Sequence, residues 1–91
     1  MRLVDKPGER PYPFLMNWDE ELVTLGLLCP LPVLKARKRL QALQVGKVLC
    51  LRADDPAAIV DVPYFCEQAG HRLLQHSAEG TILTFLIQKG N

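Results

Sequence analysis

Leu25-Gly26-Leu27-Leu28-Cys29-Pro30-Leu31-Pro32 joins a short apolar run to a helical pattern, and its reading decides the fold. On its N-terminal side, Glu21 to Leu25 reads as a first strand. On its C-terminal side, Val33, Leu34, Ala36, Arg37, Leu40 and Leu43 recur at three- and four-residue spacings. That period predicts a helix from Pro30 to about Leu43, with Gly46 as its stop. Pro30 has no N–H and a preset φ, which suits the first helical position and puts Cys29 at or beside the N-cap. The free N–H groups of a first turn and the positive end of the helix dipole favour thiolate over thiol, so a depressed pKa is expected for Cys29.

Working outward, Lys47 to Ala53 is rich in β-formers and bounded by Gly46 and Asp54, which predicts a second strand. Asp54-Asp55-Pro56 is a cap followed by proline, the start signal of a second helix. Pro63 falls inside that helix, where proline costs about 3 kcal/mol. Two pieces are therefore expected, the second capped by Asp61 and running to about Ala69. Gly70 ends it, Arg72 to Gln75 reads as a third strand, Ser77-Ala78-Glu79-Gly80 as a turn, and Thr81 to Gln88 as a fourth. The order βαβαββ leaves open whether the helices share a face, because the strand order is not legible.

With 91 residues the chain holds one two-layer core and not two. A net charge of +1 with 23% charged residues excludes a polycationic nucleic-acid binder and a disordered tail protein. No apolar run approaches the roughly 20 residues of a membrane span, and Asp5, Glu9 and several prolines stand where a signal core would be apolar, so a cytoplasmic location is expected. Three cysteines without a C-x-x-C pair fit a reducing compartment.

Residues 1 to 18 read as an extension, with residues 19 to 91 as the domain. Pro7, Pro11 and Pro13 break any regular pattern, yet Tyr12, Phe14 and Trp18 are half of the six aromatic residues. So apolar a segment is expected to pack on the domain.

The run from Leu25 to Pro32 resembles the Gly-x-x-Cys-Pro-x-Pro signature of the TusA/SirA family of small sulfur carriers. The likeness extends through Lys35, Arg37 and Lys38, Gly46, Ala53-Asp54-Asp55-Pro56, Asp61-Val62-Pro63 with Phe65 and Cys66, Gly70-His71, and Ile87-Gln88-Lys89-Gly90. It spans roughly residues 21 to 90, and several blocks in the right order are far more specific than one motif. The resemblance implies an α+β two-layer sandwich, with both helices on one face of a mixed four-stranded sheet. Family members usually carry an acidic residue at the position of Val23. If Val23 points to the open face, it forms an apolar patch with Val48 and Cys50, covered by the extension or by a second copy of the chain.

The resemblance also implies a persulfide on Cys29, taken from a cysteine desulfurase or related sulfurtransferase and passed to an acceptor relay protein. The pathways open are tRNA thiolation, cofactor biosynthesis and sulfur oxidation. If active, the chain is a sulfurtransferase whose chemistry is shared with its partners, since neither His71 nor His76 is near Cys29 in sequence and no partner base is evident. Gly26, Pro30 and Pro32 shape the turn. Lys35, Lys38 and Arg39 lie off the apolar stripe, either as a solvated face or as a surface that draws an acidic partner toward the thiol and adds to thiolate stabilisation.

Cys50 and Cys66 read as packing residues rather than relay thiols. Cys66, His71 and His76 are too loosely spaced for zinc, and Asp54, Asp55 and Asp61 are explained as caps, so neither a metal nor a cofactor is expected. Two rivals remain: a noncatalytic interaction or regulatory module, and direct RNA binding, which the lack of paired aromatics makes weak.

Overall fold

The computed structural model describes residues 17–91. Six elements follow in the expected order: β1 (Glu20–Thr24), α1 (Leu31–Gln41), β2 (Val48–Ala53), α2 (Ala58–Ala69), β3 (Arg72–Glu79) and β4 (Ile82–Gln88). The sheet order is β1-β2-β4-β3, with β1 and β2 parallel and the other two pairs antiparallel. Two antiparallel steps make β2 and β3 parallel to each other. Both helical crossovers therefore join parallel strands and advance in the same direction, and right-handed connections of that kind lay both helices on one face.

Alternation along the strands builds the core under those helices. Leu22, Leu49, Leu51, Ala53, Leu83, Phe85 and Ile87 point inward and meet Ala36 and Leu40 of α1 and Ala58, Val62 and Cys66 of α2. Leu34, expected in the apolar stripe of α1, is instead 48% exposed. On the other face Val48, Cys50 and Leu86 form a smaller buried cluster, against which Trp18 and Leu74 pack. Alternation lets Leu73 serve the main core and its neighbour Leu74 this second one, and the register shifts between Leu73 and Gln75. Val23 stands outside the cluster at 54% exposure, opposite Arg52, whose guanidinium meets Glu21 at 2.8 Å and lies over the Trp18 ring at 5.9 Å. Of the extension expected to pack on the domain, only its last residues are described, and Trp18 does so; residues 1–16 lie outside the described set.

Two expectations are corrected. α2 is one helix with Pro63 inside it, not two pieces. It opens tightly, with Ile59 and Val60 bonding back three residues to Pro56 and Ala57. The bond that Pro63 cannot donate would end on the carbonyl of Ile59, a residue 56% exposed. The β3–β4 hairpin is also longer than expected. Glu79 pairs with Ile82, so Ser77 to Glu79 belong to the strand and the turn is Gly80-Thr81. Among the described residues no helix is long and apolar enough to cross a membrane.

Candidate functional site

The parallel pairing of β1 with β2 ends at Thr24 and Ala53, so the loops that follow these strands emerge side by side. The first carries Gly26 and Cys29; the second carries Asp54 and Asp55. Gly26 turns the chain at φ +84°, a conformation that favours glycine, and its N–H donates to Asp54 Oδ1 at 2.9 Å. The Cys29 N–H donates to Asp55 Oδ2 at 2.7 Å, while Asp55 Oδ1 accepts the Ala57 N–H at 3.1 Å. These two bonds hold the Asp55 carboxyl below its usual range, the Cys29 bond contributing most. Asp55 thus fastens the thiol loop to the approach of α2.

Asp61, in the first turn of α2, completes the site. Cys29 Sγ–H donates to Asp61 Oδ2 at 2.7 Å. Pro32 and Val33 of α1, with Asp55, Ala58 and Asp61, line the narrow cleft beside the sulfur.

The expected activation of the thiol is overturned. Cys29 lies one residue before the N-cap, which is Pro30, joined to it by a cis peptide bond; the helix proper starts at Leu31, with Pro32 second. Two prolines at these positions remove donors, and the Leu31 N–H is taken by the Leu28 carbonyl at 2.9 Å. Against this thin terminus stand two carboxylates. The bond to Asp61, partial desolvation and the charges of Asp61 and Asp55 raise the Cys29 pKa above that of an ordinary thiol.

The cationic residues do not join this cluster. Lys35, Lys38 and Arg39 line a separate groove of about 380 Å³ floored by Leu22 and Ala42, and Arg39 reaches Glu20 at 3.7 Å. The charges that raise the Cys29 pKa are the acidic ones of Asp61 and Asp55. Sequence reasoning therefore missed Asp61 and Asp55 as partners of the thiol. The signal was present as an aspartate pair before Pro56 and a third aspartate before Pro63, but helix capping accounted for it.

Exposure separates the three thiols. Cys29 is exposed, whereas Cys50 and Cys66 are 0% and 2% exposed, and burial pushes the Cys66 thiol up to about 11. Iodoacetamide is accordingly expected to label Cys29 alone in the folded protein, at a rate that climbs with pH through a midpoint above that of free cysteine. Cys50 and Cys66 should label only in denaturant. Peptide mass spectrometry at a series of pH values checks this, and a Cys29 midpoint below that of free cysteine contradicts the geometry. Among the described residues no group of three or more His, Cys, Asp or Glu side chains is arranged to hold a metal ion.

Comparison with known proteins agrees with the fold and the family. Residues 20–89 match the family model described as sulfurtransferase TusA. The sulfur carrier protein TusA of Allochromatium vinosum is 41% identical over 75 residues, which cover 82% of this chain and 99% of that protein. The crystal structure of a SirA-like protein from Desulfitobacterium hafniense superposes with a TM-score of 0.69 at 21% identity, over 80% of this chain and all of that one, and so shares the fold. The chain belongs to the TusA family of sulfur carriers.

Proposed function

We propose that Cys29 is the residue on which this carrier holds its sulfur, as a persulfide received from a cysteine desulfurase or related sulfurtransferase and handed to an acceptor protein. The observation that carries this reading is the exposure of Cys29 at the end of the parallel strand pair, while both other thiols are buried in the two cores. A carrier thiol has to enter another protein's active site, and only an exposed one can. Leu28 and Leu31 on either side of it are 69% and 44% exposed, an apolar rim suited to exclude water once a partner closes over the sulfur. The groove of Lys35, Lys38 and Arg39 supplies a cationic surface for an acidic face of that partner.

Transfer then needs no resident cofactor. A sulfur nucleophile attacks the terminal sulfur of the donor persulfide and displaces the donor thiolate. The donor and acceptor set the pathway, whether tRNA thiolation, cofactor biosynthesis or sulfur oxidation. Incubating the protein with a cysteine desulfurase and cysteine, then mapping added sulfur by mass spectrometry, tests the assignment. Sulfur is expected on Cys29 and on no site in Cys29→Ser; sulfur retained by that variant would refute it.

A further inference from the structure

We propose that Asp61 takes the Cys29 proton as sulfur is loaded and returns a proton to the same atom when sulfur departs. The inference rests on Cys29 being the loading site. In a persulfide Sγ is bonded to Cβ and to the terminal sulfur, so the hydrogen it carries as a thiol has to leave. Asp61 Oδ2 stands 2.7 Å from Sγ and already accepts that hydrogen.

The other charged group at the site is excluded by its own bonds. Asp55 accepts the Cys29 N–H on one oxygen and the Ala57 N–H on the other, which makes it a loop fastener. α1 contributes only the apolar Pro32 and Val33 to the cleft. The histidines are engaged elsewhere: His71 Nδ1 accepts the Gly90 N–H at 3.0 Å, and His76 stacks on Phe85. Since two carboxylates disfavour a free thiolate, the proton leaves while the new bond forms and not before it.

The step balances without an oxidant. The Sγ lone pair attacks the terminal sulfur of the donor persulfide and forms the new S–S bond. The donor's S–S bond breaks, its electron pair leaves on the donor cysteine as thiolate, and the Sγ proton passes to the Asp61 carboxylate. The products are a Cys29 persulfide, a donor thiolate and an Asp61 carboxylic acid, with total charge unchanged. On delivery the acceptor nucleophile takes the terminal sulfur, and an Asp61 carboxylic acid protonates Sγ as it leaves.

A neutral disulfide, bis(2-hydroxyethyl) disulfide, poses the same proton problem without a protein donor. Its exchange rate at Cys29 in the full chain, followed by peptide mass spectrometry, is expected to level off below the thiol's midpoint, because the neutral thiol reacts with Asp61 as base. In Asp61→Asn the rate should instead fall about tenfold per pH unit with the thiolate fraction, leaving it at least about tenfold slower than wild type near pH 6. Asp55→Asn should keep the plateau. A wild-type rate that also falls tenfold per pH unit, or an Asp61→Asn protein faster than wild type near pH 6, overturns the proposal. If Asp61→Asn fails to fold, the presence or absence of the wild-type plateau and its survival in Asp55→Asn decide. Failure of any desulfurase to load Cys29 would strike the carrier assignment and leave these exchange rates standing.

Discussion

Leu51→Ala lowers the stability of the domain by about 2–5 kcal/mol. Leu51 is fully buried in the centre of β2, paired with Leu22 on one side and Phe85 on the other. Its side chain belongs to the core on which both helices rest. Truncation removes apolar contacts and leaves a cavity that two hydrogen-bonded neighbouring strands keep from collapsing. In a domain of this size each kcal/mol shifts the melting temperature by roughly 4–8 °C, so a fall of about 8 °C or more is expected. Thermal and urea melts with an unchanged denaturant slope check it. A loss under about 1 kcal/mol would mean that Leu51 does not face the helices. The variant also loosens the strand from whose end Asp54 and Asp55 project, so Cys29 labelling should become less uniform as the thiol loop loses its fastening.

If the proposed donor meets this groove with an acidic face, the double charge reversal Lys35→Glu/Lys38→Glu is expected to slow sulfur loading by about 10- to 1,000-fold at low salt. Lys35 and Lys38 line the groove beside α1 and are exposed, so their substitution should cost little stability. Arg39 is left in place because it lies 3.7 Å from Glu20, and reversing it would set two acids against each other. Steering acts on encounter, so the deficit should appear at subsaturating donor, vanish at saturation and shrink as salt approaches about 1 M, where the screening length falls to about 3 Å. A loading rate that is unchanged at every salt concentration would remove this groove from the interface.

Much of the fold was legible because its signals are local. The three- and four-residue spacing of Val33, Ala36 and Leu40 marks α1 whatever surrounds it, and these residues do pack inward. The reading failed where tertiary contacts override local preference. Pro63 has a helix-breaking propensity, but Val62 and Cys66 on either side of it are buried in the main core and hold α2 together through it. Ser77 to Glu79 look like turn residues, yet they pair with Thr84, Leu83 and Ile82 because β4 offers a partner along its whole length. Leu34 fits the apolar period but falls beyond the stripe that the sheet covers.

The site divides in the same way. Cys29, Gly26 and the prolines around it are neighbours in the chain, so the sequence by itself determined a thiol at the start of a helix after a glycine turn, and a cationic flank on that helix. What the thiol faces was decided by the tertiary structure alone. Asp55 and Asp61 lie 26 and 32 residues away and reach Cys29 only because β1 and β2 pair in parallel and α2 shares the face of α1. Local helix physics predicts a thiolate, whereas the fold supplies two carboxylates beside the sulfur that raise the thiol's pKa. Strand order and crossover handedness, which no local pattern encodes, are what turned an activated nucleophile into a guarded one.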